Sequence, residues 1–187
     1  MGSTHLQSGV EMQSSKIDRY LAATTFTPAV VGYLVDDGKV CLGVRKKVSL
    51  GLGENLVAGI GGKVGDTSEV QGETLDEAMD REANEEIGVR VTEKQYMGRV
   101  RFIFTHKQSD SSWNQDVGIY SITKWEGVPT ETESTKPLWF VASEIPWGRM
   151  WEDNEHWLPK VLAGQLVNAV FLFNDDNKIA EYRFDEF

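Results

Sequence analysis

Apolar runs with alternating polar positions predict β-strands along most of the chain. Pro28–Val35 and Lys39–Arg45 stand on either side of Asp36-Asp37-Gly38, a sequence typical of a tight hairpin turn. Five more segments carry a strand pattern, and the last two flank a second turn sequence at residues 174–177. These five predicted strands are Arg99–Thr105, Asp116–Trp125, Leu138–Val141, Ala169–Phe173 and Ile179–Phe184.

A helical period marks one segment in the middle of the chain. Its apolar residues recur at every fourth position and form a stripe suited to packing on a core: Leu75, Met79, Ala83 and Ile87. Thr74 and Glu77 form a capping box at the start of the segment, and Gly88 is a natural stop after its last turn. The pattern therefore predicts a helix between Thr74 and Gly88.

A second segment, Glu152–Leu166, also has helical spacing, although Pro159 must lie early in that helix or interrupt it. Strands on either side of two helices predict an α+β fold, in which a mixed β-sheet is sandwiched between helices. We expect one domain over residues 25–187. Residues 1–24 are expected to be a flexible N-terminal extension, derived in part from a cloning vector.

Composition narrows the class of protein. A chain of 187 residues, 40% of them hydrophobic, is long enough to bury a substantial core. Its single cysteine, Cys41, lies in an apolar run, and we interpret it as a buried thiol in a reducing cytoplasm. The longest apolar tract, residues 161–173, is too short to span a bilayer. A net charge of −10 argues against binding to a nucleic-acid polymer but allows a nucleotide as a substrate.

The predicted helix carries three glutamates at positions i, i+3 and i+4: Glu82, Glu85 and Glu86. This spacing puts the three carboxylates on one side of a helix, where they repel each other. A hard divalent cation such as Mg²⁺ would offset that repulsion. The alternative is a solvated acidic face. Glu82 and Glu86 flank the apolar stripe instead of opposing it, which favours the cation site.

A glycine-rich loop precedes the helix and reads Ala58-Gly59-Ile60-Gly61-Gly62-Lys63-Val64. Its glycines allow the backbone to approach a ligand closely, and Lys63 adds a positive charge suited to phosphate. Many ordinary turns have a similar composition. The loop alone therefore does not indicate a binding site, and the residues that follow it must be considered with it.

Together these residues resemble the Nudix box, which reads Gly, five residues, Glu, seven residues, Arg-Glu, aliphatic, any, Glu-Glu, any, Gly, aliphatic. From Glu73 to Val89 the chain follows this pattern, with Ala83 smaller than the usual aliphatic residue. Ten residues instead of five separate Gly62 from Glu73, so residues 65–71 contain an apparent five-residue insertion. Loops tolerate added length, so we expect the insertion to reshape the mouth of the site without abolishing activity.

The C-terminal half resembles the MutT-type oxidised-purine nucleoside triphosphatases, on the segments 136–140, 144–146 and 150–159. This likeness implies that Trp151 stacks on a purine and that Asp153 bonds the edge of the base. The chain departs from that family at two positions. Asn154 stands where the family has a second Asp, and Ala58 stands where it has Asn.

The resemblance implies a Nudix fold and Mg²⁺-dependent hydrolysis, with Mn²⁺ as a possible substitute, of a nucleoside triphosphate to a monophosphate and pyrophosphate. Oxidised purine nucleotides such as 8-oxo-dGTP are the expected substrates. The implied metal ligands are the Gly61 carbonyl, Glu82, Glu85 and Glu86. Glu85 or Glu86 is expected to activate water, and Arg81 to position the carboxylates. Substrate contacts are expected from Arg45, Ile60, Gly62, Lys63, Trp151, Asp153 and Asn154.

Several alternatives remain open at this point. Glu131, Glu133 or Ser134 is a candidate for one further metal ligand from a loop. The substrate could instead be another nucleoside diphosphate derivative, such as ADP-ribose or a dinucleoside polyphosphate. A non-catalytic nucleotide sensor is the alternative from a different class, although a pure binding module has no need of three facing carboxylates. The sequence does not distinguish a monomer from a dimer.

Overall fold

One mixed β-sheet of eight strands organises the chain. A computed structural model describes residues 15–46, 55–65, 72–110 and 112–187. The strands are β1 Thr27–Asp36, β2 Lys39–Arg45, β3 Val57–Ala58, β4 Arg90–Phe104, β5 Gln115–Glu126, β6 Thr135–Val141, β7 Val167–Phe173 and β8 Ile179–Phe184. The helices are α1 Lys16–Ala23, α2 Leu75–Ile87 and α3 Asn154–Leu162.

The strand order is β3-β2-β1-β5-β4-β7-β8, and β6 also pairs with β2. Most neighbours are antiparallel, but β1 pairs with β5 and β4 pairs with β7 in parallel. Val40 of β2 lies opposite Val35 of β1 and also opposite Phe140 of β6, so β1 and β6 flank β2 on its two edges. The start of β6 is therefore brought beside Arg45, at the end of β2.

Helices cover both faces of the sheet, as the alternation of side chains on the strands requires. On β1, Val30 and Leu34 pack with α2, whereas Tyr33 points to the other face and packs near α3. Ile17 of α1 packs against Val170 of β7 in a third cluster. The predicted α+β architecture, a mixed sheet between helical layers, is confirmed.

Helix α2 begins and ends as the sequence predicts. The Thr74 hydroxyl accepts the Glu77 N–H at 3.2 Å, and the Glu77 carboxylate accepts the Thr74 N–H at 2.9 Å. These two bonds form the expected capping box. Gly88 closes the helix at φ +71°, a left-handed conformation that glycine adopts without a steric penalty.

Several elements differ from the sequence predictions. Helix α1 lies inside the predicted N-terminal extension, where Ile17 is 1% exposed. Strand β4 begins at Arg90 and not at Arg99, because its polar first half pairs with β5 across several β-bulges. Helix α3 is shorter than predicted, and Pro159 lies inside it. Residues 1–14 and residues 66–71, which belong to the segment that contains the insertion, lie outside the described ranges. Within those ranges, no helix is both long and apolar enough to cross a membrane.

Candidate active site

The glycine-rich loop lies directly against β1. Gly32 and Ile60 exchange backbone hydrogen bonds of 2.7 and 2.9 Å, and the Val30 N–H donates to the Gly62 carbonyl at 2.9 Å. A side chain on Gly61 would place its Cβ 2.1 Å from the Val30 carbonyl oxygen. Only glycine therefore allows the loop to approach the strand this closely, and the position of the loop backbone is fixed by the sheet.

Helix α2 places two glutamates against this loop and a third at its rim. Glu82 and Glu86 are 8% and 7% exposed, whereas the Glu85 side chain is 54% exposed. A Cβ on Gly62 would lie 2.4 Å from Glu82 Oε1, so a glycine is needed for the carboxylate to approach the loop. Because Glu82 and Glu86 are one helical turn apart, they share the side of α2 that faces the loop.

Arg81 bonds three carboxylates and one loop carbonyl. Its Nε and Nη2 donate to the two oxygens of Glu73 at 2.7 and 3.0 Å. Its Nη1 donates to Glu82 at 2.9 Å and to Glu85 at 3.1 Å, and Nη2 reaches the Lys63 carbonyl at 3.0 Å. The bond with Arg81 lowers the pKa of Glu73, and the same contact raises the pKa of Arg81. Arg81 thereby ties α2 to the loop.

Arg45 reaches the same site from the end of β2. Its Nη1 donates to Glu86 Oε1, and the other oxygen of Glu86 accepts the Gly61 N–H at 3.0 Å. Arg45 Nη2 donates to the Gly61 carbonyl at 3.1 Å and to the Gly59 carbonyl at 3.3 Å. Burial lowers the pKa of Arg45, yet an arginine stays charged in proteins. Arg45 was predicted to contact phosphate. In the structure it contacts two of the predicted metal ligands, Glu86 and the Gly61 carbonyl.

Negative charge exceeds positive charge among the groups that bond one another where α2 faces the loop. The carboxylates are those of Glu73, Glu82, Glu85 and Glu86, and the guanidinium groups that bond them are those of Arg45 and Arg81. Burial raises the pKa of Glu82, because a carboxylate that loses hydration is harder to ionise. The site as a whole therefore favours an additional cation.

The three glutamates of the predicted metal site do not converge on one point. In the part of the chain that the structure describes, no group of three or more His, Cys, Asp or Glu residues is arranged to hold a metal ion. The reason is that Arg81 bonds Glu82 and Glu85, while Arg45 bonds Glu86. The sequence pattern places the carboxylates on one side of the helix but does not reveal the arginines between them.

The donors at the site nevertheless fit a hard divalent cation. The carboxylates of Glu82 and Glu86 adjoin a loop whose Gly61 carbonyl faces Arg45. Oxygen donors of this kind are the ligands that Mg²⁺ prefers. Because Glu82 and Glu86 lie one helical turn apart on the side of α2 that faces the loop, their carboxylates are the groups that would share such a cation.

A cavity of about 440 Å³ joins this loop to a cluster of aromatic residues. Its size is within the range of small-molecule binding pockets. The side chain of Ile60 does not contribute, because it is fully buried in the core under α2. The predicted substrate-binding residues that do line the cavity are Arg45, Gly62, Lys63, Trp151, Asp153 and Asn154.

Trp151 is held at the aromatic end of the cavity by edge-to-face contacts. Its ring centroid lies 5.6 Å from those of Phe104 and Phe173, with interplanar angles of 71° in both pairs. Phe104 and Phe173 stack on each other at 4.7 Å, since they are register partners on β4 and β7. The indole plane is therefore fixed by two neighbouring strands.

Asp153 and Asn154 lie side by side next to Trp151. Asp153 is 2% exposed, and its Oδ2 accepts the Trp157 indole N–H at 2.8 Å. Burial raises the pKa of Asp153 to about 7. Asn154 donates to the Trp151 carbonyl at 3.1 Å and to Asp153 Oδ2 at 3.4 Å. The pair presents a carboxyl group that titrates near neutral pH beside an amide.

Among the residues that the structure describes, none of the candidates for a further metal ligand is bonded to a carboxylate of α2. Glu131 pairs with Lys46 at 3.0 Å, and Glu133 is exposed to solvent. Ser134 Oγ lies 3.3 Å from the Thr132 hydroxyl. The first residue of β6, Thr135, contacts the site directly, because its hydroxyl is 3.5 Å from Arg45 Nη1.

Sequence reasoning missed several residues of the site. Thr135 is fully buried beside Arg45, and no local pattern marks it because only the β2–β6 pairing brings the two together. Phe104 and Trp113 line the aromatic end of the cavity and contact each other at 5.3 Å. The sequence could have indicated Phe104, because it follows Phe102 by two positions on a predicted strand and the two side chains therefore lie on one face.

The chain is similar to proteins of one known family. Residues 25–163 match the NUDIX domain. The chain is 33% identical over 153 residues to an oxidized purine nucleoside triphosphate hydrolase from Danio rerio, covering 82% of this chain and 90% of that protein. A Mus musculus protein of the same name is 33% identical over 148 residues, covering 79% and 87% respectively. A MutT protein structure from Bacillus halodurans shares the fold with a TM-score of 0.69 at 22% identity, covering 86% of this chain and 98% of that chain.

Proposed function

Because this chain belongs to the NUDIX family, we propose that it hydrolyses nucleoside triphosphates to a nucleoside monophosphate and pyrophosphate. Oxidised purine nucleotides such as 8-oxo-dGTP are the proposed substrates, and the curated relatives with that activity in their names support this choice. The observation that carries the proposal is one cavity lined both by the loop beside the α2 carboxylates and by Trp151 and Asp153. Such a cavity suits a ligand with phosphates at one end and a base at the other.

The phosphate end would use both the loop and α2. Glu82, Glu86 and the Gly61 carbonyl would hold Mg²⁺, with Mn²⁺ as a possible substitute, and Glu85 at the rim would be a further ligand. When bound, such a cation neutralises charge that develops on phosphate oxygens. Lys63 lines the cavity and would contribute a positive charge to the binding of phosphate.

Water activation falls to Glu85 or Glu86 in this proposal. A general base must lie within hydrogen-bonding reach of the water from which it takes a proton. Arg81 is a positioning residue, since its bonds to Glu73, Glu82 and Glu85 fix the carboxylates relative to the loop. Precise placement of this kind lowers the barrier because the reacting groups need not be ordered during the reaction.

The base end would bind a purine by stacking and by its edge. Trp151 provides a plane fixed by Phe104 and Phe173. Asp153 and Asn154 line the same cavity, and a carboxyl next to an amide can both accept and donate hydrogen bonds. Because the pKa of Asp153 is raised to about 7, this carboxyl can serve as a donor or as an acceptor near neutral pH.

The compartment we propose is the cytoplasm. The single cysteine, Cys41, is buried, and burial raises the pKa of its thiol to about 12. A buried neutral thiol has a structural role and needs no oxidising compartment. We propose no nucleic-acid polymer as partner, because the net charge is −10 and backbone binding requires clustered Lys and Arg.

A substrate panel tests this proposal. The kcat/KM values would be measured with Mg²⁺ for normal and oxidised purine nucleoside triphosphates, ADP-ribose and a dinucleoside polyphosphate. We expect the highest value for an oxidised purine triphosphate and no turnover with EDTA. A higher value for ADP-ribose or the dinucleoside polyphosphate would move the chain to another NUDIX substrate class. Tight nucleotide binding without turnover would identify a sensor.

A further inference from the structure

Arg45 makes three polar contacts at the loop, and two of them are with proposed ligands of a divalent cation. Its guanidinium bonds the Glu86 carboxylate and the carbonyl oxygens of Gly61 and Gly59. Glu86 and the Gly61 carbonyl are two of the proposed metal ligands. Side-chain exposure is 23% for Arg45 and 9% for Glu86, so solvent screens the contact only in part.

We propose that Arg45 is an exchangeable internal cation of this site. In the protein without added metal, the guanidinium neutralises Glu86 and holds the Gly61 carbonyl in place. When a divalent cation binds these oxygens, it displaces Arg45, which then turns into the cavity toward the substrate phosphates. The inference rests on the proposed function for the position of the metal.

Electrostatics favours this exchange. A divalent cation and a guanidinium on the same carboxylate and the same carbonyl would be only a few ångström apart, and like charges at that distance repel strongly in a partly buried site. The carboxylate must therefore be shared at a high cost or passed from one cation to the other. A hard divalent ion has the higher charge density and is the stronger competitor for oxygen.

Arg45, and not Arg81, is the group free to leave. Arg81 bonds both oxygens of Glu73 in the two-pronged geometry that makes arginine–carboxylate pairs strong, and it also bonds a loop carbonyl. The only carboxylate that Arg45 bonds among the described residues is Glu86, and its other partners are two carbonyls and the Thr135 hydroxyl at 3.5 Å. Removing Arg45 breaks one ion pair, whereas removing Arg81 breaks three.

The cavity gives Arg45 a destination. Arg45 and Lys63 both line it at the end nearest the loop. A planar guanidinium with several fixed donors matches the geometry of phosphate oxygens. Arg45 would therefore neutralise Glu86 and hold the Gly61 carbonyl in place before the metal binds, and it would contribute to phosphate binding afterwards. The exchange places Arg45 on the phosphates only after the metal is bound, so that the two events are ordered.

Metal affinity provides the first test. Mg²⁺ binding to EDTA-treated, dialysed protein would be measured by calorimetry for wild type, Arg45→Met, Arg45→Lys and a control, Arg90→Met. Arg90 pairs with Glu126, both well exposed. We expect Arg45→Met to bind Mg²⁺ about 5- to 150-fold more tightly than wild type, the usual range for coupled binding events. Arg45→Lys should fall between them, and Arg90→Met should equal wild type.

A second test uses only the wild-type protein and so does not depend on the folding of a variant. Side-chain N–H signals of ¹⁵N-labelled arginine would be recorded by NMR with EDTA and with saturating Mg²⁺. The signals lost in the spectrum of Arg45→Lys identify Arg45. In EDTA we expect the Arg45 side-chain N–H groups to be protected from exchange with solvent. With Mg²⁺ their signals should shift and their exchange should become faster, while the Arg81 N–H groups stay protected.

The inference is overturned if Arg45→Met binds Mg²⁺ no more tightly than wild type, or if the Arg45 signals are the same at saturating Mg²⁺. Either result together with normal pyrophosphate release would reject the exchange and leave the proposed function intact. Conversely, displaced Arg45 signals without nucleotide hydrolysis would support the exchange and reject the proposed function.

Discussion

The indole N–H of Trp157 donates a hydrogen bond of 2.8 Å to Asp153 Oδ2. Both residues are almost fully buried, so this bond fixes a carboxyl group at the base end of the cavity with little access to water. The hydrogen bond favours the ionised form, but burial opposes it more strongly, and the pKa of Asp153 is raised to about 7. The consequence can be measured in the pH dependence of stability.

The first prediction concerns that pH dependence. The unfolded chain ionises Asp153 near the usual pKa of about 3.9, while the folded protein keeps it protonated up to about pH 7. The unfolded state therefore binds fewer protons between these values, and stability falls as pH rises through this window. Asp153→Asn removes this contribution. We therefore compare the free energy of unfolding of the variant with that of wild type. The difference, variant minus wild type, should increase by on the order of 4 kcal/mol between pH 4 and pH 8.

Urea denaturation at several pH values measures that difference. The control is Asp37→Asn at the exposed β1–β2 turn. The free energy of unfolding of this variant should differ from that of wild type by the same small amount at every pH. A difference between Asp153→Asn and wild type that stays constant from pH 4 to pH 8 would mean that Asp153 titrates normally in the folded protein.

The second prediction concerns the α2 carboxylates. Glu82→Gln and Glu86→Gln should each keep the fold and lower kcat by about 10²–10⁴, the scale for losing an acid–base or metal-positioning group. The reason is that both residues are buried against the loop. Pyrophosphate release measures the effect, and Glu93→Gln is the control, because Glu93 bonds Lys124 and Thr123 on an exposed part of the sheet. Near-normal rates in both α2 variants would place the active site elsewhere.

The third prediction concerns stacking at the aromatic end. Trp151→Ala should raise KM for a purine triphosphate far more than it changes kcat, because stacking is felt similarly in the ground state and the transition state. Base stacking on an aromatic ring contributes about 1–3 kcal/mol, so kcat/KM should fall about 5- to 150-fold. Trp139→Ala is the control, since Trp139 is 38% exposed and stacks on Trp125. Unchanged kinetics in a folded Trp151→Ala would reject the base site.

The fourth prediction concerns base selectivity. Asn154 donates to Asp153 Oδ2 and to the Trp151 carbonyl, whereas an Asp at this position is an acceptor when ionised. Asn154→Asp should sharpen the preference between 8-oxo-dGTP and dGTP, and Asp153→Asn should also alter it. Steady-state kinetics with the two nucleotides in competition measures the ratio. An identical ratio in wild type and both variants would show that neither side chain reads the edge of the base.

The local features of the site were predictable from sequence. The capping box, the stop at Gly88 and the position of Glu82 and Glu86 beside the apolar stripe depend on residues within one helix, and each agrees with the structure. The Nudix box supplied the family, and the match to the NUDIX domain confirms it. Helical spacing is sufficient for these inferences because the residues involved are neighbours along the chain.

The long-range contacts were not predictable in the same way. Arg45 meets Glu86 because β2 ends beside the loop on which α2 packs, and Thr135 joins them through the pairing of β2 with β6. Trp139 is 38% exposed because β6 lies outside β2. Hydrophobic periodicity identifies a strand but does not specify its neighbours, so contacts of this kind follow only from the assembled sheet.

The most direct test of the proposed chemistry is the identity of the products formed from 8-oxo-dGTP with Mg²⁺. Product analysis by ³¹P NMR would follow wild type and Glu86→Gln under identical conditions. We predict equal amounts of 8-oxo-dGMP and pyrophosphate from wild type, no orthophosphate, and a signal for Glu86→Gln reduced by about 10²–10⁴. Release of orthophosphate, or equal pyrophosphate release by the two proteins, would contradict the assignment of the α2 site as a nucleoside triphosphate pyrophosphohydrolase.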